Sequence, residues 1–189
     1  MQLDFGTCPG SMIISMINYL QKILDKWTEV LGGTKACPAT DNLFKVREDE
    51  DRVLLCEEMA RQFHRATAQL LFLCKRARPD VETLVPFLTT RVKSPDEENW
   101  EKLRHGLMYL KGKLHMKRYL TADNLSYIVA WVDGSFGVHW GSKGLSGAML
   151  SMGKGAIDII APVCPLESQC TPNDPSTHQT ILERLSAVK

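Results

Sequence analysis

The feature that most constrains this chain is a change of hydrophobic period near Arg118. Before it, apolar residues recur every third or fourth position, as one face of a helix requires. After it they cluster in short β-branched and aromatic runs, as strands do. Upstream, the spacing predicts three helices. In the first, Met59, Phe63, Ala66, Leu70 and Leu73 share a face, and the helix should stop before Pro79, which disfavours helix at Arg78. The second starts near Pro79 with Val81, Leu84, Val85 and Leu88 inward. Pro86 lacks an amide donor and should kink or delay it. The third opens at Ser94-Pro95-Asp96-Glu97, which reads as a capping box in which Ser94 and Glu97 satisfy each other's amides. It buries Trp100, Leu103, Leu107 and Leu110 and stops at Gly112.

Downstream, Tyr127 to Val132 is apolar on both faces, as a central strand should be, and that places Trp131 in a core. Leu145 to Met152 reads as a second strand, and Gly153-Lys154-Gly155 as a tight turn into a third, Ala156 to Val163. The expected fold class is therefore α+β, a helix-rich segment followed by a three-stranded β-meander. At the other end, Met12-Ile13-Ile14 leads into a helix whose stripe is Met16, Leu20, Ile23, Trp27 and Leu31, with Gly32-Gly33 as its stop. Residues 33 to 55 read as an extended connector, and the charge run Arg47 to Arg52 as a solvated loop. Four prolines from Pro162 to Pro175 exclude a regular helix there, and a short last helix can start at Pro175-Ser176 with Ile181, Leu182 and Leu185 inward.

With 23 basic and 22 acidic residues, the net charge of +1 gives no global attraction to nucleic acid or membrane. Any such attraction must come from local clusters. The longest apolar run, Ile128 to Val132, falls far short of the ~20 residues of a membrane helix. The first residues carry no basic leader, so no secretory signal is expected. Six cysteines without a C-x-x-C pair read as free thiols of an intracellular protein. A zinc site from Cys164, Cys170 and His178 is the sharper alternative, and it lacks a fourth ligand.

The ordered set Leu70 to Leu73, Arg78-Pro79-Asp80, Val81 to Leu88, Pro95, Trp100 and Met108-Tyr109-Leu110-Lys111-Gly112 is followed by Val129 to Asp133, Gly144 to Met152 and Gly153-Lys154-Gly155. In that order it resembles the tail of a copia-type retrotransposon reverse transcriptase running into its ribonuclease H domain. The resemblance covers roughly residues 3 to 157. It implies a pol polyprotein fragment of a transposable element: the end of a palm-like strand and helix (1–32), thumb and connection helices (33–118), and a truncated ribonuclease H-like domain with a divergent tail (119–189). The family's chemistry is RNA-directed DNA synthesis with template degradation, using Mg2+. No Tyr-x-Asp-Asp occurs here, so the polymerase carboxylates are expected before Met1.

The same resemblance makes Asp133 the first nuclease acid. The second should be a Glu at a Ser-Ser-Thr-Glu-like helix start, whose nearest echo is Ser176-Thr177-His178; Glu183 lies outside the motif, and the remaining acids would fall beyond Lys189. Two-metal hydrolysis needs about four carboxylates. Asp133 is therefore a vestigial catalytic position and an incomplete metal ligand, and the chain alone is expected to bind no Mg2+ and to be inactive. Its simplest reading is an aspartate at a strand end or turn before Gly134.

Lys111, Lys113, His115, Lys117 and Arg118 form the densest basic run. Such a run can track a template-primer or RNA–DNA hybrid backbone by counterion release, or serve as a solvated loop. Trp140 is the better stacking candidate of the two tryptophans near the meander. Lys75, Arg76 and Arg78 sit at a helix end, where they suit the negative dipole. Partners expected are template-primer, weakly, and other pol-derived chains. The rival readings are an accessory subunit, or a helical interaction module completed by a partner.

Overall fold

A computed structural model describes residues 1–6, 10–47, 52–123, 126–139, 143–160 and 163–164. It is a mixed α+β fold with four α-helices and two small antiparallel sheets among the described residues. The first sheet has the order β1 (Gln2–Asp4), β2 (Ser11–Ser15), β3 (Arg118–Thr121). Strand β3 lies more than a hundred residues from β2 in sequence, yet Ile13 pairs with Tyr119 and Ser11 with Thr121. The chain thus returns to its own start after the helices. No sequence signal marks a strand at 118–121, because four residues of mixed polarity carry no period.

The helices form the core. α1 (Ile17–Asp25) buries Leu20 and Ile23. Its expected stripe extends further than the helix does: Trp27 and Leu31 are buried, but from a turn and a loop beyond Asp25. Burial of those side chains, rather than helical continuity, preserves the spacing. Gly33, at φ 81, occupies the left-handed region that glycine adopts without strain, but as a loop position and not as the helix stop.

α2 (Glu57–Arg76) ends as expected before Pro79 and places Phe63, Leu70 and Leu73 fully in the interior. Pro79–Val81 is a single 3-10 turn, and α3 (Leu84–Thr89) begins late, with Pro86 in its first turn, where a missing N–H costs nothing. α4 (Glu97–Gly112) buries Trp100, Leu103, Leu107 and Leu110. The cap differs from the one read in the sequence. Asp96, not Ser94, closes α4, its Oδ1 accepting from the Asn99 amide at 2.8 Å. Ser94 instead offers its carbonyl to Arg52 at 2.6 Å, and Arg52 Nε also meets Asp96 Oδ2 at 3.0 Å. Aspartate and serine are comparable caps, and here the Arg52 guanidinium helps to hold the Asp96 carboxylate in place.

Trp27 stacks on Trp100 with centroids 4.6 Å apart, joining the end of α1 to α4. Each fully buried leucine in this layer contributes roughly 1.5–3 kcal/mol by apolar transfer.

The second sheet is the expected meander: β4 (Val129–His139), β5 (Lys143–Ser151) and β6 (Asp158–Ile160), with β7 (Val163–Cys164) also on β5. The expectation of a buried central strand is overturned. β4 pairs only with β5 among the described residues, and Val129, Trp131 and Val132 are all exposed, Trp131 at 51%. Adjacent strand residues point to opposite faces, so exposure at both Trp131 and Val132 means that neither face is covered by described residues. Trp131 is not core.

The meander is fastened to the first sheet through its β5–β6 turn. Thr121 N–H donates to the Lys154 carbonyl at 2.9 Å, Asp123 N–H to that of Met152 at 3.0 Å, and Lys154 N–H to Thr121 Oγ1 at 2.9 Å. Gly155, at φ 85, lies so close to the Tyr119 carbonyl oxygen that a Cβ there would collide with it. Trp140, the tail from Pro165 with its expected last helix, Cys170 and His178 lie outside the described residues.

Candidate nucleic-acid interface

The basic run spans the last turn of α4, the turn after it and the start of β3, and its members part company there. Lys111 reaches back from α4, its Nζ donating to the Leu31 carbonyl at 2.8 Å, and so ties the helix end to the loop after α1. Lys113 follows the helix: its N–H satisfies Tyr109 and Leu110 carbonyls at 3.1 and 3.2 Å, and its carbonyl accepts from Arg78 Nη1 at 3.0 Å. Its side chain is exposed, as are those of His115 and Lys117. These three present charge or donors outward.

Arg118 does not. It is 9% exposed, and its guanidinium donates to the Arg76 carbonyl at 2.9 Å, to the Ile157 carbonyl at 2.8 Å and to the Ala156 carbonyl. Burial draws its pKa down from the usual guanidinium value, while the Asp158 and Glu82 carboxylates oppose that. Its charge is spent inside the fold, bridging the end of α2 to the strand after the Gly153–Gly155 turn. Charged side chains rarely sit in the interior unless partnered, and main-chain carbonyls at two segment ends are its partners. The sequence could not separate Arg118 from Lys117, because they are basic neighbours at a loop-to-strand boundary where no period marks the one that turns inward.

The cluster at the end of α2 resolves in the same way. Lys75 pairs with Glu82 and also donates to the Ile159 carbonyl at 2.7 Å. Arg76 lies over the Phe72 ring at 5.5 Å. Arg78 is 2% exposed and grips Asp80 through Nη2 at 2.7 Å and Nε at 2.9 Å. Tyr109 O–H donates to the same carboxylate at 2.8 Å. Burial alone would raise the Asp80 pKa; hydrogen bonds and charge from Arg78, with the Tyr109 hydroxyl, outweigh it and hold the carboxyl below its ordinary value. Tyr109 is pushed up, by burial first and by the Asp80 carboxylate next. The Arg78-Pro79-Asp80 triplet is thus an internal clamp between α2, the 3-10 turn and α4. Its sequence signal was visible as a helix boundary, but its partners Tyr109 and Lys113 come from thirty residues away.

Asp133 lies in β4 opposite Gly147. The other carboxylate of the meander, Asp158, pairs with Leu150 on the far side of β5. With strands ~4.8 Å apart and ~3.3 Å per residue, the two backbone positions stand roughly 10 Å apart across the sheet and roughly 10 Å along it. Magnesium takes oxygen ligands at about 2 Å, so this pair does not form a shared cation site. Among the described residues no group of three His, Cys, Asp or Glu side chains converges.

Of the cysteines, Cys37 and Cys56 are exposed free thiols, whereas Cys74 is buried and its pKa is pushed up to about 12, by burial first and by the neighbouring Glu82 next. No helix among the described residues is long and apolar enough to cross a membrane. Comparison with protein-family models, curated proteins and solved structures finds no match to this chain.

Proposed function

We propose that the chain is a piece of a copia-type pol polyprotein, the thumb and connection helices of a reverse transcriptase leading into a ribonuclease H-like meander. As a separate chain it has no polymerase or nuclease activity and holds template-primer weakly. The observation that carries this reading is an order: the Arg78-Pro79-Asp80 and Tyr109-Leu110-Lys111-Gly112 helices precede an antiparallel meander whose first strand contains Asp133. Lys113, His115 and Lys117 are the outward-facing part of the basic run and supply its phosphate contacts. Magnesium, which the family uses, would find one carboxylate, Asp133, on the corresponding strand.

The test is binding of a labelled RNA–DNA hybrid at two salt concentrations. Affinity that falls steeply with salt and drops in the Lys113→Ala, Lys117→Ala double variant supports the reading. Salt-insensitive binding, or magnesium-dependent cleavage abolished by Asp133→Asn, overturns it.

A second reading has its own support. Exposed Tyr127, Val129, Trp131, Val132 and Met149 leave the meander apolar on its surface, as a sheet completed by a partner pol-derived chain would be. Co-purification with such a chain, lost in Trp131→Lys, would favour an accessory subunit over a chain that acts alone.

A further inference from the structure

A half-open cleft of about 330 Å³ lies between the end of α1 and the N-terminal half of α2. Its floor is apolar and fixed: Ile23, Trp27 and Ala66 are all buried. Its rim is basic. Lys26 follows α1, and Arg61 and Arg65 stand one turn apart on α2, where side chains four residues apart are neighbours. Glu58 is the single carboxylate in the lining.

The cations are available. The side chains of Lys26 and Arg65 make no hydrogen bond or ion pair among the described residues. Arg61 makes one contact, to Glu57 at 3.5 Å, with both side chains exposed; such a pair is worth little and opens readily. By contrast, Arg52, Arg78, Arg104 and Arg118 are all engaged with oxygen partners. Across the cleft, Thr28 and Gln62 hold each other at 3.0–3.1 Å, which fixes an amide at the lining. The Trp27 indole N–H is buried without an acceptor, so this wall also carries an unmet donor.

We propose that this cleft binds a small phosphate monoester with an aromatic or apolar organic part, of mononucleotide size. Two guanidinium groups four residues apart present planar forks that suit a phosphate dianion, and Lys26 adds a third positive charge. The Ile23, Trp27 and Ala66 floor receives the organic part, while Gln62 and Gln69 offer polar groups that orient it. The volume falls at the small end of ligand pockets, which suits a single nucleotide rather than a strand. The site shares no residue with the Lys113–Lys117 loop and stands independently of the template-primer reading.

The experiment is calorimetric titration of the full chain with adenosine monophosphate, adenosine and inorganic phosphate. Expected is saturable binding of adenosine monophosphate, with adenosine and inorganic phosphate each at least tenfold weaker. Arg65→Ala should weaken the monophosphate at least tenfold, and Arg65→Lys should recover part of the loss. Both variants lie on an exposed helix face, so their melting temperatures serve as the folding control. The Lys113→Ala, Lys117→Ala variant should bind the monophosphate as the parent does. Equal affinity for adenosine and its monophosphate, unchanged binding in Arg65→Ala, or no saturable binding up to about 1 mM, a threshold near −4 kcal/mol, overturns the proposal.

Discussion

The helical layer and the C-terminal meander draw on similar apolar residues and use them in opposite ways. Phe63, Leu70, Leu73, Val81, Leu103 and Leu107 are completely inaccessible, each on a helix or turn whose other face is polar. Trp131, Val132 and Met149 are equally large and remain exposed. A helix separates its two characters around its own circumference, so packing three helices together satisfies the sequence locally. A strand that is apolar on both faces can be satisfied only by two covering layers, which its own residues cannot supply. Stability should therefore be concentrated in the helices and in the links that tie the meander to them.

The largest break in that contrast is expected at the buried clamp. Arg78→Ala removes an interior guanidinium and leaves the partly buried Asp80 carboxylate without its cation, and should cost about 3 kcal/mol by chemical denaturation. Leu107→Ala in the same layer should cost about 2–5 kcal/mol, against less than about 1 kcal/mol for Val132→Ala in β4. Equal losses at Leu107 and Val132 would show that β4 is covered after all.

Acid probes the same clamp through its sign. Asp80 is held below its ordinary pKa, so its contribution is present above the unfolded carboxylate value of ~3.9 and is lost as pH falls through the folded value. The stability difference between the parent and Asp80→Asn should shrink below about pH 4, and a difference that grew there would contradict the pairing.

Gly155→Ala tests the junction between the two regions. A left-handed residue with a Cβ costs ~1–2 kcal/mol before its collision with the Tyr119 carbonyl is counted. Hydrogen exchange should quicken in β5 and β6 while α2 and α4 keep their protection. Asp96→Ala removes a cap, at about 1 kcal/mol, and also the carboxylate that meets Arg52, so it should loosen the start of α4 and the Arg52 segment together. The smallest effect is chemical. Cys37 and Cys56 should react rapidly with a maleimide at neutral pH, while buried Cys74 should react only on unfolding, as mass mapping of labelled peptides would report.

The sequence determined a good deal unaided: the three helices from Glu57 to Gly112, the delayed start imposed by Pro86, and the order of the meander strands. Each of these depends on local period, on proline geometry or on a glycine turn, and such signals lie within a few residues of one another. Tertiary structure alone decided the rest. It brought β3 back beside β2, turned Arg118 inward to two segments of main chain while leaving Lys117 outside, and set Tyr109 on Asp80. It also placed Lys26 opposite Arg61 and Arg65 across a cleft that no linear motif marks. Whether a cation is a surface contact or an internal brace depends on which carbonyls and carboxylates arrive from distant parts of the chain, and spacing along a strand or helix does not record that.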